Sequence, residues 1–228
     1  MSLKKFTIYG ERCSGTNYLE EIILINFNVE LTWEFGWKHF FGFQDELLKN
    51  SDDTLFICVV RNLCPWINSL YREKWHLPLK YMQMIESKKI DKFLNDEFWS
   101  FDDNNRNRDI NKEIMEDRNI YTGLRYKNIF ELRHTKNKFL IEDMPKKVKN
   151  YIFIRYEDLL NDFENTMLKI KEKGLEVKNP SSFPKNSSNY KKSNINFHKI
   201  VKKDHIPNDV ILQNPNLIKE FEEILGYM

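Results

Sequence analysis

No uninterrupted apolar run in this chain of 228 residues approaches the roughly 18 that span a bilayer, so no membrane-spanning helix and no membrane partner are expected. The N-terminus lacks a signal-peptide pattern, because Lys4-Lys5 leads into a short strand-like stretch rather than a long apolar region. Cysteine is scarce. Cys13, Cys58 and Cys64 show neither metal-ligand nor C-x-x-C spacing, and an odd number gives no disulfide framework. A reducing compartment, the cytoplasm, is the expectation. Charge of one sign is not in excess either: 36 Lys and Arg against 34 Asp and Glu leave a formal charge of +2. That balance is too mild for a nucleic-acid partner. It leaves room for a local anion site, because net charge does not say where the charges lie.

What is present describes a globular protein, with 41% hydrophobic and 31% charged residues. The length fits one α/β domain over 1–228, with a helical or loop insertion at about 79–119. Phe6 with Thr7–Tyr9 reads as a short strand ended by Gly10, and from Asn17 the spacing of Leu19, Ile22 and Ile23 marks a helix face. "TLFICVVR" (54–61) is a continuous, β-branched apolar run, the pattern of a strand buried on both faces. "YIFIRYEDLL" (151–160) reads as another such strand entering a loop and a helix that carries Phe163, Met167, Leu168 and Ile170. Helical stretches are expected over 66–74, over much of 79–99, and over 110–133. Strands alternating with helices predict parallel crossovers and a three-layer sheet with helices on both faces. The polar segment 101–113 reads as a surface loop or lid, and 179–192 as a Pro/Ser/Asn-rich connector.

The chemistry begins at "YGERCSGTNYL". Gly10 and Gly15 have the spacing of a phosphate-binding G-x-x-x-x-G-K-[ST] loop, but Thr16 stands where the lysine belongs and Asn17 where the magnesium-binding hydroxyl belongs. Backbone N–H groups of such a loop cradle an anion, the following helix adds its positive end, and Arg12 can add a bidentate charge. Without the lysine, ATP hydrolysis is poorly served. A tight strand–helix turn with no ligand is the plain structural alternative. A second anion site is suggested by "VVRNLCPWINSLYREKW": Arg61 ends the buried strand, and Ser69 and Arg72 follow one helical turn apart.

"SGTNY" after the first strand, and "VVRN…S" with seven residues between Arg61 and Ser69, resemble the two cofactor loops of sulfotransferases that use 3′-phosphoadenosine 5′-phosphosulfate (PAPS). "FIRYEDLLNDFENTMLKI" resembles the family's R-Y-E-D-L stretch, with Phe163 in place of the usual proline, and "ILGYM" resembles its L-G-Y ending. "GERCSGTNYLEEI" followed by "GWKH" looks closest to a bacterial and viral branch with a G-E-R-x-S-G-T-N-Y-L opening. The resemblance implies a P-loop NTPase-like sulfotransferase fold, with PAPS as cosubstrate and PAP as product. It implies that Arg12, Cys13, Ser14, Gly15, Thr16 and Asn17 surround the 5′-phosphosulfate and that Arg61 and Ser69 hold the 3′-phosphate. Tyr18 falls where many relatives stack a tryptophan on adenine; packing in the core is the alternative. The C-terminal basic stretch 189–203, with Lys191 or Lys192 near the 3′-phosphate, would close over the nucleotide or else remain a solvated face.

Cys13 stands where many members carry the lysine that acts on the bridging oxygen, and Arg12 is the candidate to take that role. Sulfuryl transfer also needs a base for the acceptor proton. His39, the first candidate, lies between the two cofactor loops beside Lys38, which can keep it neutral. Glu11 and His76 are the next candidates; His134, His198 and His205 have nothing to recommend them. The aromatic segment Trp33, Phe35, Trp37, Phe40, Phe41 and Phe43 reads as core or as a stacking wall for a sugar or phenol. No carboxylate or His/Cys cluster has ligand spacing, so no metal is expected. The reading is a PAPS-dependent sulfotransferase acting on a hydroxyl of a glycan or small molecule. Its alternatives are a P-loop nucleotide or small-molecule kinase and a non-catalytic PAP- or PAPS-binding relative.

Overall fold

The computed structural model describes residues 3–42, 45–73, 77, 79–101, 113–185 and 205–228. Its elements run β1 (Lys5–Tyr9), α1 (Thr16–Asn26), β2 (Glu30–Leu31), α2 (Asp45–Leu48), β3 (Thr54–Val60), α3 (Leu63–Arg72), α4 (Leu79–Glu86), α5 (Ile90–Asn95) and α6 (Ile129–Lys138). A π-helical turn (Phe139–Asp143) follows, then α7 (Met144–Lys147), β4 (Tyr151–Arg155), α8 (Tyr156–Asn161), α9 (Phe163–Glu172), α10 (Asn208–Leu212) and α11 (Lys219–Ile224). Contacts group the described residues into two units, one within Met1–Asn62 and Phe139–Lys203, the other within Leu63–Lys138 and Asp204–Met228.

The first unit carries a four-stranded parallel sheet ordered β2-β1-β3-β4. β1 pairs with β3 from Lys5↔Thr54 to Tyr9↔Cys58, and β3 with β4 from Phe56↔Tyr151 to Val60↔Arg155. The chain leaves β1 for one side of the sheet and later returns to its other side, so β1 and β3 flank the point where strand order reverses. Ligands of open α/β sheets bind at the strand C-termini of such a point.

Alternation along the strands gives each face its own core. Phe6, Ile8, Leu55, Ile57, Val59, Ile152 and Ile154 pack with Leu19, Ile22 and Ile23 of α1 and with Phe163, Met167 and Ile170 of α9. On the other face Tyr9 and Phe56 meet Phe41 and Phe35, and Phe41 stacks on Phe139 of the π-helical turn at 5.7 Å. The Tyr151 hydroxyl donates to the Leu140 carbonyl on that side at 2.8 Å. All seven residues of β3 are buried, as its unbroken apolar run requires. The result is the three-layer parallel α/β fold that the alternation of elements predicts.

The second unit is helical and is held by buried polar pairs. Asn68 of α3 donates through Nδ2 to the Ile206 carbonyl at 3.0 Å, and its Oδ1 accepts from His205 and Ile206 N–H at 2.8 and 2.9 Å. Arg133 of α6 meets Glu222 of α11 with two bonds of 2.5 and 2.6 Å. Lys136 pairs with Asp117, both nearly sealed from solvent.

Much of 79–99 is helical as expected, as α4 and α5 with a break between them where Lys88 adopts φ 53° and Lys89 N–H reaches back to the Met84 carbonyl at 2.8 Å. The helical expectation over 110–133 needs correction. Within 110–133 the described residues form only a 3-10 turn (Met115–Asp117) and a loop before α6. The Asn119 side chain accepts from Tyr121 N–H at 3.0 Å and Gly123 takes φ 69°, a local turn that outcompetes the helix. The helix then starts afresh because Asn128 Oδ1 caps the N–H groups of Phe130 and Glu131 at 3.0 and 2.9 Å. The ends of the 101–113 segment pair as Phe101↔Glu113; residues 102–112 lie outside the described residues.

Phe56 is fully buried between Tyr9 and Phe35. Phe56→Ala should cost about 3–5 kcal/mol of unfolding free energy. Urea denaturation checks this, and a loss under about 1 kcal/mol would contradict the packing described.

Candidate functional site

The sheet and α1 force the loop between them into a narrow space. A Cβ on Gly10 would lie 2.6 Å from the Val59 carbonyl oxygen and 2.8 Å from Val59 Cγ1, so only glycine lets the chain leave β1 this close to β3. The loop then turns on a Ser14 N–H to Glu11 carbonyl bond of 3.1 Å. Cys13 and Gly15 have φ of 65° and 92° on either side of Ser14. Such alternation turns neighbouring N–H groups toward one point, the geometry of an anion cradle. Gly15 is also the N-cap of α1 and brings no side-chain acceptor, so the helix start is left to other acceptors. A Cβ there would meet the Tyr156 ring at 2.2 Å.

Three cations surround this loop. Arg12 is buried, and Glu11 Oε1 accepts both its backbone N–H at 2.7 Å and its Nε at 3.1 Å. Arg61, just past β3, donates from Nη1 to the Cys13 carbonyl at 3.0 Å and lies 5.0 Å over the Tyr156 ring. Its Nε is buried without a hydrogen-bond partner among the described residues. Lys38 is the third, and the sequence considered it only as a neighbour of His39. The residue is 6% exposed, and its ammonium bonds Asn17 Oδ1 and donates to Glu20 Oε2 at 3.1 Å. It also lies 5.4 and 5.2 Å over the rings of Trp33 and Trp37.

The backbone beside Lys38 is latched to the loop twice. Gly10 N–H donates to the Lys38 carbonyl at 3.0 Å, and His39 Nδ1 lies 2.7 Å from the Gly10 carbonyl oxygen. A carbonyl only accepts, so this bond assigns the proton to Nδ1 and leaves the lone pair of the neutral ring on Nε2. The half-buried imidazole has Trp37 edge-on at 6.3 Å. Such a ring can take a proton from a hydroxyl presented to Nε2.

The aromatic segment divides. Phe35 and Phe41 are core, while Trp33 and Trp37 stand around Lys38, Trp37 being 45% exposed. Phe43 lies outside the described residues.

From β4 comes the wall opposite. Tyr156 fills the space over Gly15 and under Arg61, and Glu157 Oε1 accepts the Asn62 N–H at 3.1 Å, joining the ends of β3 and β4. Arg155 grips Asp158 with bonds of 3.1 and 2.8 Å.

The structure thus brings Arg12, Cys13, Ser14, Gly15, Thr16, Asn17, His39 and Arg61 into one unit. Tyr18 belongs to the core of that unit, edge-on to Tyr156, with its hydroxyl donating to the Lys185 carbonyl at 3.3 Å. Ser69 is buried on α3 in the second unit. Lys191, Lys192, His76 and the stretch 189–203 lie outside the described residues. Among the described residues there is no cluster of three His, Cys, Asp or Glu that could hold a metal ion, and no helix long and apolar enough to cross a membrane. Lys38 was the missed residue; only the pairing of Gly10 with the segment after β2 reveals its place.

No family model and no curated protein matches the chain. Among solved structures it is similar to mouse sulfotransferase SULT7A1 complexed with PAP, at 14% identity over 99% of this chain and 84% of that chain, with a TM-score of 0.45.

Gly15→Ala should destabilise the protein by roughly 1–3 kcal/mol, from positive-φ strain together with the collision with Tyr156. Adding Tyr156→Ala should not restore wild-type stability, since the backbone strain stays; urea titration of the single and double variants tests this. Burial and the Tyr156 phenol push the Tyr18 phenol up to about 12. The neutral phenol is therefore favoured by folding: its contribution is complete below the unfolded value of about 10 and is lost as pH rises through about 12. Stability should fall more steeply between pH 10 and 12 in the wild type than in Tyr18→Phe, as measured by urea unfolding across that range.

Proposed function

We propose that the chain is a PAPS-dependent sulfotransferase acting on a hydroxyl acceptor. The observation that carries this reading is the latch between the anion loop and the Lys38-His39 segment, which sets a base-bearing imidazole beside the cradle. The motif resemblance supports it, since the loop, Arg61 and the Arg155–Asp158 stretch occupy the C-terminal ends of β1, β3 and β4. The loop fits a doubly charged group: its glycines leave no room for side chains, and Arg61 Nε is a buried donor still without a partner among the described residues.

In this reading PAPS supplies the sulfuryl group, with its phosphate as leaving group. The N–H groups of Ser14 to Asn17 and the start of α1 hold the anionic end and stabilise charge that grows on it. Arg12 adds positive charge at the loop, in the role that Cys13 cannot fill. Arg61 holds a second phosphate. His39 Nε2 takes the acceptor proton, with the Gly10 carbonyl fixing its tautomer. Exposed Trp37, edge-on to His39, offers an apolar face to the acceptor, a glycan or small molecule. Lys191 and Lys192 are further candidate contacts for the nucleotide.

Thermal shifts with PAP, PAPS and ATP separate this reading from a kinase, and sulfate transfer to an acceptor panel separates it from a non-catalytic binder. PAP and PAPS should raise the melting temperature and ATP with magnesium should not be turned over. ATP turnover that EDTA abolishes would overturn the reading. Arg61→Ala should weaken PAP by roughly 2–4 kcal/mol, read by calorimetry on folded protein. His39→Ala should lower kcat by roughly a hundred- to ten-thousand-fold with PAP affinity near wild type. Unchanged turnover would remove His39 from the mechanism and leave Glu11 and His76 to be substituted.

A further inference from the structure

The Gly10–Asn17 loop has no lysine, yet a lysine ammonium reaches its end from another segment. We infer that Lys38 is a binding residue for the phosphate-type anion of this loop and does the work of the lysine that Thr16 replaces. The inference rests on the reading of the loop as an anion site.

Lys38 spans the loop. Its carbonyl accepts from Gly10 N–H at the loop's start, while its Nζ bonds Asn17 Oδ1 at the loop's end. The stem is therefore laid along the cradle, and the ammonium stands at the first turn of α1, beside the residue that follows Thr16. An ammonium has three donors. Asn17 and Glu20 take two, and among the described residues no third acceptor is recorded for Nζ. Burial at 6% exposure makes the spare donor costly in the absence of an anion, and a desolvated cation attracts phosphate more strongly than one in water.

The indole faces of Trp33 and Trp37 suit this arrangement. They keep water from the ammonium and favour the cation without consuming a hydrogen-bond donor. Glu20, 24% exposed in its side chain, is the counter-charge with which an incoming anion competes. A purely structural ion pair would make Lys38 and Glu20 equivalent. An anion-binding role makes them opposite, because removing the carboxylate frees the cation.

The test is calorimetry with PAP and with inorganic pyrophosphate at fixed ionic strength. It compares wild type, Lys38→Met, Lys38→Gln and Glu20→Gln, each checked for folding by circular dichroism. Lys38→Met and Lys38→Gln should weaken both probes at least tenfold, whereas Glu20→Gln, which breaks the same ion pair, should bind as well or more tightly. Equal weakening by the lysine and glutamate variants, or no weakening by a folded lysine variant, overturns the inference. Thr16→Lys added to Lys38→Met should regain most of the lost pyrophosphate affinity; no recovery in a folded double variant counts against it. A wild type that binds pyrophosphate but not PAP sinks the PAPS reading while the lysine series still decides this one. A wild type that binds neither overturns both.

Discussion

The tight approach of Gly10 to Val59, where a Cβ would find no room, governs the rest of the site. With a side chain at residue 10 the end of β1 would be displaced from β3, and the register that runs from Lys5↔Thr54 to Tyr9↔Cys58 could not continue to the strand end. The same glycine exposes both of its peptide groups to the segment after β2. Its N–H binds the Lys38 carbonyl and its carbonyl binds His39 Nδ1. One small residue thus sets strand spacing, loop entry and the orientation of an imidazole.

Charge burial is the second constraint. Arg12, Lys38 and Glu11 are all nearly sealed from water, and isolated charges there would cost several kcal/mol each. Each has a partner: Arg12 with Glu11, Lys38 with Glu20 and Asn17. Hydrophobic replacements of similar volume would serve stability as well or better, so these pairs are not explained by stability alone. The second unit holds buried pairs of the same kind, Arg133 with Glu222 and Lys136 with Asp117.

Much of this was legible in the sequence, for identifiable reasons. The buried strand 54–60 is legible because a strand covered on both faces reads as a near-continuous apolar run, here from Leu55 to Val60. The loop is legible because its glycines recur at fixed spacing where a strand meets a helix. Elements decided by local side-chain bonds were not. Asn119 and Gly123 end what periodicity reads as a helix, and Asn128 begins another; both depend on hydrogen bonds that hydrophobic spacing does not carry. Lys38 was hidden for a different reason. A motif describes neighbours along the chain, whereas this ammonium reaches the loop from the segment after β2, whose Lys38 carbonyl accepts the Gly10 N–H. The aromatic run from Trp33 to Phe41 likewise supports two readings until the backbone assigns Phe35 and Phe41 to the core and leaves Trp37 exposed.

Strain and rigidity meet at Cys13. A non-glycine residue at φ 65° is costly, and it holds only when its surroundings over-determine it. Here Arg61 binds the Cys13 carbonyl, and Tyr156 lies between that guanidinium and Gly15. β3 and β4 thereby fix the loop from outside, and the Glu157 to Asn62 bond fixes β3 and β4 to one another. A cradle held in this way loses little freedom when an anion enters, so more of the interaction energy remains for binding. In the proposed transfer the same rigidity would serve the charge that develops, because the dipoles need not reorganise as it grows. The left-handed cysteine is therefore best understood as part of a preorganised loop, maintained by residues that follow two neighbouring strands.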